Sequence, residues 1–267
     1  MGYLFPPKKR DTITAQRRPI AGHLGQHRRN GAPATRARYN QAPAYHQRPR
    51  NLTMIRSYQK EFLDFAVSSG ALRFGEFKLK SGRSSPYFFN TGTFNTGGRL
   101  AQLGRFYAHA ILDSGLQFDM IFGPAYKGIP LAAAVTIALA DHHGRDVPYA
   151  FNRKEAKDHA EGGIIVGSPL QGKVLIIDDV ISAGISIGES VEIIRTAGAS
   201  AAGAVIALNR QERGFGTSSA VAEAESRYGL RITSIVTLDT LVQYLTSNPV
   251  QRQHLDAIRS YRALYGA

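Results

Sequence analysis

The chain is 267 residues long and carries 33 Lys+Arg against 20 Asp+Glu, a formal net charge of +13, with 43% hydrophobic and 9% aromatic residues. That length allows one large domain or two small ones, and the apolar fraction excludes a wholly disordered chain. The absence of cysteine excludes disulfide scaffolds, thiolate zinc sites and cysteine nucleophiles, and no apolar run reaches the roughly 18–20 residues that span a bilayer.

The charge is unevenly placed. Residues 1–53 hold eleven Lys/Arg and a single acid, Asp11, a net of +10, and six of the twelve prolines. No helical or alternating apolar period runs through them. Such a segment buries too little apolar surface to offset its ordering entropy, so it is expected to be a disordered basic extension. It has no hydrophobic core of the secretory type. On electrostatic grounds a nucleic-acid-binding arm is one reading; the preferred one is a start placed too early, with Met54 the first residue of the functional chain. No nucleic-acid partner is expected.

From residue 55 helix and strand signals alternate. Tyr58, Phe62, Phe65 and Ala66 mark one face of a helix that ends at Gly70. Short strands are predicted at Gly75–Lys80 and Pro86–Asn90, then a helix over about Arg99–Ser114. The pattern continues with strand Met120–Phe122, helix Ile129–His142, strand Pro148–Asn152, a long polar loop, and strand Val174–Ile177. A helix over about Gly188–Ala197, strand Ala204–Leu208, a helix near Ser219–Tyr228 and strand Ile232–Val236 come next. Helices at about Thr240–Thr246 and Val250–Tyr265 close the chain. Uncharged, β-branched strands between helices indicate an α/β fold whose mainly parallel sheet is covered on both faces.

Ligands of such sheets sit beyond the carboxyl ends of the strands. Strand Val174–Ile177 runs straight into Asp178-Asp179, then Val180-Ile181-Ser182-Ala183-Gly184-Ile185-Ser186 and a helix start. A small glycine-bearing loop feeding a helix N-terminus presents free backbone N–H groups suited to a phosphate. Adjacent carboxylates beside a phosphate attract Mg²⁺ or bind sugar hydroxyls. An Asp pair that merely caps the helix is the plainer alternative.

Residues 178–186 resemble the phosphoribosyl-pyrophosphate (PRPP) motif of type I phosphoribosyltransferases. Residues from about 55 to 267 resemble bacterial orotate phosphoribosyltransferases nearly end to end. Four further blocks carry the likeness: Lys80 to Asn90 (KSGRSSPYFFN), Gly123 to Gly128 (GPAYKG), Asn152 to His159 (NRKEAKDH) and Asn209 to Gly214 (NRQERG). The resemblance implies the type I fold with a small N-terminal hood over residues 54–267, and transfer of ribose 5-phosphate from PRPP to orotate. It also implies Mg²⁺, held mainly through PRPP with help from Asp178 and Asp179, a cytoplasmic setting and a homodimer. By matching position, Asp178 and Asp179 hold the ribose hydroxyls and Val180, Ile181, Ser182, Ala183, Gly184, Ile185 and Ser186 cradle the 5′-phosphate. Tyr126 and Lys127 line the pyrophosphate site, and Lys80 contacts PRPP and orotate. Phe88, Phe89 and Ser182 face the pyrimidine, and Arg210 meets the orotate carboxylate.

The polar stretch from Arg153 to about Gly167 has the glycines of a hinged lid. The resemblance places Arg153, Lys157 and His159 of this lid in the neighbouring subunit's site and Lys154 in its own, with Lys157, His159 and Asp179 the catalytic groups. Ile185 stands where the family usually has threonine, which removes a hydroxyl from the phosphate loop. Plainer readings are core packing for Phe88-Phe89, a turn lysine for Lys127, an ion-pair partner of Glu212 for Arg210 and a surface histidine for His159. A relative acting on another base, and a PRPP-sensing regulator, are the competing functions.

Overall fold

A computed structural model of the chain describes residues 54–79, 81–157, 163–181, 184–214 and 216–267, with side chains at 156 and 157 left aside. The expected disordered extension, and the candidates Lys80, His159, Ser182 and Ala183, lie outside the described residues.

Helix α1 (Ser57–Ser68) leads into an antiparallel hairpin of β1 (Leu72–Lys78) and β2 (Ser84–Phe89), which forms a small separate sheet. After a 3-10 turn at Thr91–Thr93, α2 (Gly97–Ser114) delivers the chain to the main sheet. There β3 (Met120–Gly123), α3 (Gly128–His143), β4 (Tyr149–Lys157), β5 (Gly163–Gly167) and β6 (Lys173–Ile177) follow in turn. Helix α4 (Ile185–Thr196), β7 (Ser200–Asn209), α5 (Ala220–Tyr228) and β8 (Ile232–Thr237) extend it. Helices α6 (Leu238–Ser247) and α7 (Leu255–Tyr265) close the fold. The six strands lie in the order β5-β4-β3-β6-β7-β8, all parallel except the edge strand β5.

The period of two along the central strands explains why they read as unbroken apolar runs. Ile121, Leu175, Ile177, Val205 and Ala207 join the core built with α1, α2, α3, α6 and α7. Their neighbours Met120, Phe122, Val174, Ile176, Ala204 and Ile206 join a second core under α4 and α5. Both faces are dry, so neither set of alternate positions tolerates a polar residue.

Three differences from the sequence expectation have local causes. The expected long polar loop contains β5, a five-residue edge strand bounded by Gly163 and Gly167, both at positive φ. Strand β1 starts at Leu72, three residues before Gly75; that glycine sits at φ +143° where the hairpin register shifts between Phe74 and Phe77, so it marks a bulge and not a strand end. The single helix expected over 250–265 is a 3-10 turn at Arg252–His254 followed by α7.

Candidate active site

Strand order fixes where the site lies. Chain connections run from β3 outward to β4 on one side and from β6 outward to β7 on the other, so the order reverses between β3 and β6. A crevice opens at the carboxyl ends of strands at such a reversal. The loops there are Gly123–Gly128 after β3 and Asp178–Gly184 after β6.

Asp178 and Asp179 are each only 7% exposed. Their main chain continues the sheet, with Asp178 N–H donating to the Val205 carbonyl (3.1 Å) and the Asp179 carbonyl accepting from Ala207 N–H (2.9 Å). The Tyr107 hydroxyl of α2 donates to the Asp178 carbonyl at 2.8 Å. Asp179 Oδ2 accepts from Lys127 Nζ at 2.5 Å and from Thr91 Oγ1 at 3.2 Å, while Oδ1 accepts from Val180 N–H at 2.8 Å. Asp178 Oδ2 accepts from Ser186 Oγ at 2.7 Å and Oδ1 from Asp179 N–H at 2.9 Å. Burial pushes the Asp178 carboxyl above its ordinary pKa, and the Ser186 hydrogen bond works against that rise. Asp178 thus ties to the first turn of α4 through Ser186, while Asp179, bonded across the crevice to Lys127 and Thr91, is not capping that helix.

The loop after β3 approaches β6 closely. A Cβ on Gly128 would stand 2.8 Å from the Gly123 carbonyl carbon and 2.9 Å from the Ile177 oxygen, so only glycine fits. Asn152 of β4 accepts from Ala125 N–H through Oδ1 at 2.8 Å, pinning the same loop from the other side. Tyr126 is 70% exposed, and the Lys154 ammonium lies 5.8 Å from its ring. Tyr126, Ile129, Phe151, Asn152, Arg153 and Lys154 line an open groove of about 380 Å³. A second groove of the same size runs past Lys127 between Thr91, Phe94, Leu100 and Leu131.

Gly184 at φ +70° starts α4, which presents its first N–H groups toward the crevice end of β6. Ile185 is 66% exposed in its first turn. Phe88 and Phe89 fall on opposite faces of the hairpin: Phe88 stacks on Phe77 (5.6 Å), and Phe89 packs against Phe62 (6.2 Å). Arg210 follows β7, its Nε donating to Glu212 Oε1 at 2.7 Å and its Nη2 to Ser85 Oγ at 3.0 Å, with the guanidinium 4.2 Å over the Tyr87 ring. The pairing with Glu212 therefore exists, and it aims the guanidinium at the hood. Lys157 ends β4 with its backbone paired to Gly163, at the base of residues 158–162. Sequence reasoning assigned no role to Thr91, Tyr107 or Asn152. Thr91 and Asn152 adjoin or lie in quoted blocks, whereas nothing in the sequence singles out Tyr107, whose contact spans 71 residues.

Among the described residues no helix is long and apolar enough to cross a membrane. The sheet, the acid pair at its switch point and the helix start beyond it define a type I phosphoribosyltransferase, and the family model described as a phosphoribosyl transferase domain matches residues 90–221. The orotate phosphoribosyltransferase of Thioalkalivibrio sulfidiphilus is 62% identical over 212 residues, which is 79% of this chain and all of that protein. That of Klebsiella pneumoniae is 58% identical over the same extent. The crystal structure of the Francisella tularensis enzyme of this name shares 40% identity at a TM-score of 0.71, covering 78% of this chain and 100% of that one. The chain belongs to the orotate phosphoribosyltransferase family.

Proposed function

We propose that residues 54–267 form the catalytic domain and transfer the ribose 5-phosphate group of PRPP to orotate, giving orotidine 5′-monophosphate and pyrophosphate on the way to UMP. The observation that carries the reading is the pair Asp178-Asp179, buried at the switch point, with Asp179 bonded across it to Lys127 and Thr91. In this reading Asp178 and Asp179 accept from the ribose diol. The first N–H groups of α4 hold the 5′-phosphate. Lys127, now neutralised by Asp179, turns to the pyrophosphate, with Tyr126 and Lys154 along the same groove. Phe88 presents the flat side of the hood to the pyrimidine, and Arg210 pairs with the orotate carboxylate, a group that purine bases lack.

The donor set suits Mg²⁺ in a limited way. Two carboxylates are hard oxygen ligands, yet among the described residues no cluster of three or more His, Cys, Asp or Glu is placed to hold a metal. Asp178 and Asp179 would therefore assist an ion held mainly by the diphosphate, where it neutralises charge on the leaving group. The chain's own residues do the rest. Lys127 and the lid cations Arg153, Lys154 and Lys157 receive the negative charge that develops on pyrophosphate. His159 supplies a proton to it, and lid closure keeps water from the oxocarbenium-like carbon. In this reading the enzyme works in the cytoplasm as a homodimer.

The test offers orotate, uracil, adenine and hypoxanthine separately with PRPP and Mg²⁺. Turnover with orotate alone is expected, and turnover of only another base overturns the assignment.

A further inference from the structure

The loop that carries Arg210 is held by one residue in an unusual conformation. Gln211 has φ +51° and is the non-glycine residue with positive φ among the described residues, a conformation that costs a side-chain-bearing residue about 1 kcal/mol or more. Every polar group of Gln211 is engaged. Its N–H donates to Asn209 Oδ1 at 2.9 Å, and its carbonyl accepts from Ala267 N–H at 3.0 Å. Its side-chain Nε2 donates to Asp239 Oδ2 at 2.8 Å, while Oε1 accepts from the Asp239 N–H at 2.7 Å. A carboxylate accepting on one side and a backbone N–H donating on the other permit only one orientation of the amide. Asp239 lies in the first turn of α6 and is itself ion-paired to Arg262 of α7. Glu212 bridges to Gly266, and Arg213 N–H donates to the Tyr265 carbonyl.

We propose that Gln211 is a positioning residue for orotate: clamped by Asp239 and the chain end, it holds Arg210 and Glu212 side by side so that the guanidinium meets the substrate carboxylate at the hood. This rests on the assignment of Arg210 to that carboxylate. The side chain of Gln211 turns away from the ligand toward α6, so its effect passes entirely through its neighbour.

The experiment is a double-mutant cycle read as separate Michaelis constants for orotate and PRPP. Gln211→Gly keeps the backbone conformation accessible and deletes the clamp. It should raise the orotate KM about tenfold, as for one or two lost hydrogen bonds, and leave the PRPP KM within about twofold. Asp239→Ala, which cuts the same clamp from the other side, should do likewise. In an Arg210→Ala background neither change should raise the orotate KM further. Independent, multiplying effects, or an equal rise in the PRPP KM, would overturn the proposal while leaving the role of Arg210 standing. An Arg210→Ala enzyme with unchanged orotate KM would instead overturn the assignment on which it rests.

Discussion

Ser186 sits in the first turn of α4, where a hydroxyl could serve the phosphate, yet its one O–H proton is committed to Asp178 at 2.7 Å. Two consequences follow at the residue scale. Among the described residues of this turn the phosphate meets backbone N–H groups and an exposed Ile185 whose side chain offers no donor, so Ile185→Thr should lower the PRPP KM by about tenfold, the worth of a hydrogen bond to a charged group. An unchanged PRPP KM in steady-state kinetics would refute this. The second concerns pH. Burial raises the Asp178 pKa, and the Ser186 hydrogen bond favours the charged form. Ser186→Ala therefore raises that pKa further, and an activity that needs the carboxylate is lost at a higher pH. The acid limb of the kcat/KM profile for PRPP should move upward; an unmoved or lowered limb would mean that Asp178 does not govern it. The adjacent carboxylates at the end of β6 and the helix start that follows them were legible in the sequence because an apolar strand, two acids and a glycine coincide within a short span. The commitment of Ser186 was not, because which acceptor a hydroxyl chooses depends on side-chain geometry that spacing does not fix.

Elements were legible where burial is uniform and obscure where glycine punctuates. Strands β3, β6 and β7 declare themselves as uncharged runs because helices cover both their faces. Strand β5, short, antiparallel and at the edge, hides between glycines in a polar stretch. Helix α4 begins three residues earlier than its apolar period suggests, because Gly184 and not the first core-facing residue sets its start. Glycine also sets the junction of β3, α3 and β6. A methyl on Gly128 would meet Pro124 Cδ at 2.6 Å as well as the backbone of Gly123 and Ile177, so Gly128→Ala should cost about 1–3 kcal/mol. Calorimetry should show the midpoint falling by about 2–4 °C for each of these, and the PRPP KM should rise as Tyr126 and Lys127 are displaced. Gly98→Ala, on an open face of α2 with nothing within 4 Å of the added methyl, should leave both unchanged. Equal behaviour of the two variants would remove close approach as the reason for glycine at 128.

At the scale of the whole molecule, curated relatives match over 212 residues and to their full length, so removing residues 1–53 should leave kcat/KM and thermal midpoint at the values of the full chain. A large loss of either would give that basic segment a role in the fold or site. The remaining domain has a helix that suits a partner. Helix α3 buries Leu131, Ala132, Val135 and Leu139 on one side, yet leaves Ile137 61% exposed on the other, in line with exposed Tyr126 and Pro130. An apolar outward stripe next to the proposed pyrophosphate groove is a surface suited to a second copy. The proposed homodimer, with its lids acting in trans, makes a definite prediction for mixed dimers. Lys157→Ala and Asp179→Asn should each be inactive alone, one lacking a lid cation and the other a ribose ligand. After subunit exchange, half the dimers are mixed, and in each of those one site joins an intact lid to an intact acid pair. Activity should return to about a quarter of wild type for random pairing. Dimers shown to exchange, with no activity restored, would mean that each lid closes over its own subunit.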